Sequence, residues 1–388
     1  MKLGFTLRKF VIDALDIARR LLDMGIYLLW LLVDPSKFKI IDNKKIKNML
    51  VVDVGAIGDT YNVLGIINEL IFRYPYLNIN YLGLEKNKKF IKNPKINVIN
   101  KQEVKSLIDK KKLDAIIFLT TSHNPELFDR ELYFKSLKVP YRVFSDYSRI
   151  SNLLDQIPFF ITRRVFPTYK TMLGDSISAF ETLGFSLNNK IRFHYTAEAE
   201  KFAEKFMNKI RDNKKQKIIF IHPSNEKVTH ALKENKVPSS DWANEKWVRV
   251  IEQLMHDFDS KFIFTGSKDE SPIIEEIISK IKNKKRTINA AGKFSLEELA
   301  SLLKRADLLI SVDTSIAHFG AQVGIPLIVL MFCKSSFCGA PTNFKIDIFH
   351  AEVCNNCQRY ACAEGNNICM KAITVKEVLD AANSFLKK

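Results

Sequence analysis

The sequence predicts an α/β protein built of two Rossmann-like halves, each a parallel sheet with helices on its faces. Three observations predict it. Short apolar runs alternate with helical patterns along the chain. The alternation occurs twice, before and after a charged stretch at Glu198–Lys217. Several apolar runs end in turns that contain Gly, Ser or Asp, the residues expected where strands meet a ligand cleft.

In the first half, Asn48–Val54 is a short apolar run followed by a Gly-containing loop and a helical pattern from about Tyr61 to Arg73. Further strand patterns lie at Ile79–Leu84, Asn97–Asn100, Ala115–Thr120 and Tyr141–Ser145. In the second half, strands are expected at Lys217–His222, Lys261–Thr265, Thr287–Ala290, Leu308–Val312 and Pro326–Phe332. Helices are expected at Trp247–Phe258, Ser271–Lys282, Ser295–Lys304, Ser315–Gln322 and Val375–Leu386. Ser295 with Glu298 three residues later is a capping-box pattern. No short internal repeat is present. The expected division is residues 1–47 as a basic amphipathic helix and linker, 48–205 as the first half, and 206–388 as the second half with a cysteine-containing tail.

Composition agrees with two globular halves. The chain has 388 residues and is 46% hydrophobic, enough for each half to bury a core. Gly and Pro are sparse, which argues against a disordered or collagen-like chain. The net charge of +17 suits nucleotide phosphates, an anionic lipid surface or nucleic acid. It also suits a merely well-solvated, Lys-rich surface. No RNA-binding aromatic motif or helix-turn-helix appears, which disfavours nucleic acid. All six Cys fall at or after Cys333, a distribution that fits a reducing cytosol better than a disulfide framework.

The N-terminal segment carries Phe10, Val11, Leu15, Ile17, Leu21 and Leu22 at roughly helical spacing, with Arg8, Lys9, Arg19 and Arg20 between them. The uncharged run from Met24 to Val33 is about half the ~20 residues that a membrane span needs. Asp13, Asp16 and Asp23 also oppose spanning, and no small-residue cleavage site follows. The segment reads as a helix lying in the headgroup plane, where Tyr27 and Trp30 suit an interface. Its alternative is a helix packed on the body of the protein. Pro35–Lys47 reads as a polar linker.

Four constellations can carry chemistry. Gly55-Ala56-Ile57-Gly58-Asp59 directly follows the first strand. Its glycines allow a tight turn and close backbone approach. Asp59 there can take a proton from a hydroxyl, or cap the helix that follows. Asp313-Thr314-Ser315 opens a helix whose start is an anion site, with His318 one turn further in. The same residues can instead be an ordinary cap and a satisfied histidine. The loop after His222-Pro223-Ser224 runs to Trp242 and Trp247 and carries Lys227, Lys233 and Lys236. Gly266 and Glu270 follow another strand; Glu270 can hold a ribose, or favour the helix dipole.

Together these pieces resemble glycosyltransferase family nine, the bacterial heptosyltransferases of lipopolysaccharide core assembly. The resemblance covers about residues 48–388. It rests on Met49–Asp59, and above all on Ala306–His318 with Gly324-Ile325-Pro326, which is similar to the family's Asp-Thr-Gly-x-x-His-x-Ala-x-x-Gly-x-Pro signature. It implies a GT-B fold, two Rossmann-like domains facing across a cleft. It also implies an ADP-heptose-like donor, a lipid-linked saccharide acceptor, inversion at the anomeric carbon and no required cofactor or metal. It makes Asp59 the general base, with Gly55 and Gly58 in the acceptor-side loop. It makes Asp313, Thr314, Ser315 and His318 the sugar-pyrophosphate site and places Glu270 against the nucleoside. Gly266, Ser224 and Lys236 complete the expected donor site. The chain is then expected in the cytoplasm, peripheral on the inner face of the cytoplasmic membrane. Ser315 stands where the family usually has Gly, and Ser240 where it often has Lys; either Lys233 or Lys236 takes that place or the phosphate charge is met otherwise.

Cys354, Cys357, Cys362 and Cys369 lie close together, as a structural metal site or as free thiols. Two rival functions stand beside this one: a nucleotide-sugar epimerase of the same architecture, which turns over donor alone, and a non-catalytic protein binding nucleotide or nucleic acid.

Overall fold

The computed structural model describes residues 41–387, apart from 54, 56, 121–129, 137, 147–162, 166–171, 189–190, 333–344, 351–352, 354–361 and 363–364. The N-terminal helix expected within residues 1–33 lies outside the described residues. Among the described residues no helix is long and apolar enough to cross a membrane.

The first sheet contains β1 (Asn48–Asp53), β2 (Asn78–Gly83), β3 (Ile96–Val98), β4 (Ala115–Thr120), β5 (Tyr141–Asp146) and β6 (Arg163–Val165), in the order β3-β2-β1-β4-β5-β6. All pairs are parallel. Helices α1 (Ile57–Arg73), α2 (Glu85–Lys88), α3 (Lys101–Asp109), α4 (Arg130–Ser136) and α5 (Met172–Glu181) connect and cover it. The second series begins with α6 (Ala197–Ile210), β7 (Lys217–His222), α7 (Glu226–Lys233), α8 (Asn244–Asp257), β8 (Ser260–Phe264), α9 (Ser271–Lys280) and β9 (Thr287–Asn289). It continues through α10 (Leu296–Leu303), β10 (Leu308–Val312), α11 (Ser315–Val323), β11 (Leu327–Leu330), β12 (Lys345–Ile348), α12 (Ile368–Ala372) and α13 (Val375–Leu386). Its sheet runs β12-β11-β10-β7-β8-β9, again parallel and in the same topology as the first. In each sheet the order reverses beside its first strand, at β1/β4 and β7/β10. The crevice outside those strand ends is where an open α/β sheet holds ligand.

Alternation along the strands builds the core. Val51 and Ile117 face one way, Leu50 and Ile116 the other. In the second sheet Phe220 and Leu309 oppose Ile221 and Ile310 in the same manner. One face of each sheet joins a single apolar cluster shared by the two halves. Helices α1 and α11 meet there, with the Tyr61 ring edge-on to Phe319 at 4.3 Å between centroids. Such a pair contributes about 0.5–1.5 kcal/mol beyond its buried area. The halves are thereby joined beside the starts of α1 and α11.

Several expectations change. The segment expected as linker is ordered at its C-terminal end, where Asp42 caps the turn Asn43–Lys45 and Ile46 enters the core. The charged stretch after residue 198 is mostly helix α6, which runs through the expected boundary at 205/206 and packs on α10. Its buried face is Ala199, Ala203, Met207 and Ile210, at helical spacing. Helix α7 occupies part of the expected loop after Ser224 and is capped by Asn225. Strands β6 and β12 go beyond the expected set; both are edge strands with charged residues. The capping box at Ser295 and Glu298 forms as expected.

Candidate active site

The turn after β1 is held from below by a buried carboxylate. Asp53, 1% exposed, accepts from the Gly55 amide at 2.9 Å, the Thr60 hydroxyl at 2.8 Å and the Tyr81 hydroxyl at 2.6 Å. Asn87 donates to the Gly55 carbonyl at 3.0 Å and to Thr60 Oγ1 at 2.8 Å. Burial pushes the Asp53 carboxyl above its ordinary range, opposed by those three hydrogen bonds. Helix α1 starts at Ile57, earlier than the pattern suggests, so Asp59 is a first-turn helical residue rather than the cap. It is half-buried.

Gly58, beside Asp59, sits against the other half. A Cβ there would stand 2.9 Å from His318 Cδ2, 3.4 Å from His318 Nε2 and 3.4 Å from Ser315 Cα. The residue before Asp59 and the start of α11 thus pack directly on each other. Thr314 caps α11, accepting from the Ile316 amide at 3.2 Å, and Gly324 in the left-handed region closes it. His318 is buried, with Nδ1 at 2.9 Å from Asn62 Nδ2 of the first half. The Asn62 carbonyl oxygen accepts from Gln322 Nε2 at 3.0 Å, which turns its amide nitrogen toward the ring. In this arrangement Nδ1 accepts and Nε2 carries the proton, facing the Gly58 turn. Burial pushes the imidazole below its ordinary value, partly offset by nearby Asp313. His318 is therefore neutral near pH 7 and offers a hydrogen bond rather than a charge.

At the end of β7, Ser224 is 2% exposed and its hydroxyl has no partner among the described residues. Asn225 next to it donates to the Asp313 carbonyl at 3.2 Å and to Ser240 Oγ at 2.9 Å, tying the β7 and β10 ends together. At the end of β8, His222 Nδ1 lies 2.9 Å from Thr265 Oγ1. A Cβ on Gly266 would meet Glu270 Oε2 at 3.0 Å. Glu270 is buried and its carboxylate accepts from the Ser267 amide in a capping box at the helix start.

The structure thus brings Gly58, Ser315 and His318 into one contact, with Asp59 next in sequence, and ties Asn225, the neighbour of Ser224, to the Asp313 carbonyl. Lys236 is elsewhere engaged, its ammonium 2.6 Å from Glu234 Oε2 at the surface; Lys233 lies 3.5 Å from Asp269. Trp242 and Trp247 are core residues packed edge to face, and Trp242 donates to the Ile373 carbonyl. Of the four-cysteine group, Cys354 and Cys357 lie outside the described residues. Cys369 is buried in the apolar core, and Cys362 Sγ accepts from the Asn367 amide. Among the described residues no three metal-ligating side chains cluster.

Residues 146–368, more than half of the chain, match glycosyltransferase family 9 (heptosyltransferase). The chain belongs to glycosyltransferase family 9. The lipopolysaccharide core heptosyltransferase OpsX of Haemophilus influenzae is 24% identical over 313 residues, which is 76% of this chain and 82% of OpsX. A family 9 glycosyl transferase from Veillonella parvula superposes with a TM-score of 0.66 at 20% identity, covering 88% of this chain and 97% of that one. The ADP-heptose lipopolysaccharide heptosyltransferase II of E. coli gives 0.60 at 16% identity, over 88% and 98%. This glycosyltransferase accordingly has the GT-B fold, and the epimerase and binding-protein readings give way to family membership. The family match takes in the α11 segment but begins after the turn with Asp59.

Asp53, Asn62, Asn225, Tyr81 and Asn87 of this glycosyltransferase are not apparent as site residues in the sequence. Asp53 does leave a signal, as an acid directly after the apolar run Met49–Val52. The asparagines leave none, since Asn62 and His318 are 256 residues apart.

Proposed function

We propose that this glycosyltransferase moves a heptose-like sugar from an ADP-sugar to a hydroxyl of a lipid-linked, lipopolysaccharide-core saccharide, inverting the anomeric carbon. The half that carries Asp59, expected as residues 48–205, receives the acceptor. The half that carries His318, expected as residues 206–388, receives the donor. The N-terminal segment lays the enzyme on the inner face of the cytoplasmic membrane.

In this reading the acceptor oxygen attacks the anomeric carbon while Asp59 takes its proton. The bond from that carbon to the diphosphate oxygen breaks, and ADP leaves with the electron pair. The charge gathering on the diphosphate meets the α11 start at Thr314 and Ser315, its dipole, and the Nε2 proton of His318. Ser224 and Asp313 lie at the adjacent strand ends for the sugar and diphosphate, and Gly266 and Glu270 near the nucleoside. Lys236 reaches the phosphates only by leaving Glu234.

The observation that supports the reading is the packing of Gly58, the residue before Asp59, on His318 and Ser315 at the start of α11. The test is Asp59→Asn. Donor binding should persist while turnover falls about a hundred- to ten-thousand-fold. Near-normal turnover would remove Asp59 from the role.

A further inference from the structure

Asp53 stands in an unexpected place. Residues Met49–Val52 before it in β1 are apolar and buried, and a carboxylate buried among such residues costs several kcal/mol unless fully hydrogen-bonded. Its partners among the described residues are three neutral donors, with no cation. Two of those donors bracket Asp59 in sequence: the amide of Gly55 before it and the hydroxyl of Thr60 after it. The third, Tyr81, braces the carboxylate from β2. Asn87 donates to the Thr60 hydroxyl oxygen, so the Thr60 proton is directed at Asp53. The turn is closed tightly enough that a Cβ on Gly55 would stand 2.7 Å from Asp59 Cβ and 3.0 Å from Asp53 Oδ1.

We infer that Asp53 is a positioning residue for Asp59: it clamps both ends of the turn and so fixes where the Asp59 carboxylate stands, next to the Gly58–His318 contact. Asp53 itself, buried beneath the turn, does not meet substrate. The inference rests on the reading of Asp59 as the base. A neutral amide at position 53 cannot accept from all three donors, because one of its two terminal atoms is itself a donor. The turn then loosens, and a misplacement of about 1 Å can cost about a hundredfold in rate.

The experiment compares Asp53→Asn, Tyr81→Phe, Asp59→Asn and the double variants with Asp59→Asn, measuring kcat, donor KM and donor binding. Asp53→Asn should lower kcat about ten- to a hundredfold with donor KM and donor binding unchanged. Tyr81→Phe, which deletes one hydrogen bond of the three, should move kcat the same way by less. In the Asp59→Asn background neither change should lower turnover further, since the group being positioned is gone. Undiminished kcat in both single variants, with Asp59→Asn collapsed, overturns the positioning role and leaves the base intact. Losses that multiply in the double variants overturn it too, as they mark a general defect of the fold. Full turnover in Asp59→Asn instead sinks the base reading. If Asp53→Asn does not fold, Tyr81→Phe and its double variant carry the same comparison.

Discussion

Replacing Gly58 by Ala probes the contact between the halves most directly. Gly58 lies in the first turn of α1, where Ala is intrinsically favoured over Gly by about 0.5–1 kcal/mol. The added methyl would stand 2.9 Å from His318 Cδ2 and 3.4 Å from the Ser315 backbone. The imidazole cannot swing aside freely. It is buried and bonded to Asn62, and losing that hydrogen bond costs about 0.5–1.5 kcal/mol. Ser315 can retreat only if the start of α11 moves with it. Overpacking of this kind costs about 1–3 kcal/mol, so strain outweighs the helix gain and leaves a net loss on the order of 1 kcal/mol. If the α11 start grips the diphosphate, a distortion of about 1.4 kcal/mol raises donor KM about tenfold. Urea unfolding at constant m-value measures the first quantity and steady-state kinetics the second. A variant at least as stable as the parent, with unchanged donor KM, would show that the two halves do not meet productively at this point.

Two further outcomes test the surroundings of the site. Asn62→Leu strands His318 Nδ1 and Gln322 Nε2 without partners in a buried place; each orphan costs about 1–3 kcal/mol, and a urea midpoint equal to the parent's would contradict the bridge. The second concerns acid stability. Arg305 donates to both oxygens of Glu200, at 3.2 and 2.8 Å, and holds that carboxyl below its ordinary value of 4.5. A depressed native value means the folded state binds this proton less readily than the unfolded chain. The pair's contribution is therefore complete above pH 4.5 and fades as the pH falls through the lower native value. The stability difference between parent and Glu200→Gln should be constant above pH 4.5 and shrink below it; a difference that persists in acid would refute the pairing.

What the sequence determined by itself is what local periodicity controls. Runs such as Ala115–Thr120, Lys217–His222 and Leu308–Val312 are apolar enough to mark central strands buried on both faces, and their bounds match β4, β7 and β10. Cap chemistry acts over three or four residues, so the Ser295 box and the start of α11 were equally legible. The short edge strands β6 and β12 were not, because an edge position needs no continuous apolar run. Helices α6 and α7 were hidden by surface charge, though α6 carries a legible stripe of small apolar residues. Asp59 and His318 could be picked out as reactive types at strand ends. Only the tertiary structure decided that the Gly58 turn meets the imidazole, that Asn62 bonds it from the opposite half, and that Asp53 underpins the turn. Those contacts depend on how two separately folded sheets dock, and docking is set by the shapes of whole buried faces rather than by any short stretch of chain.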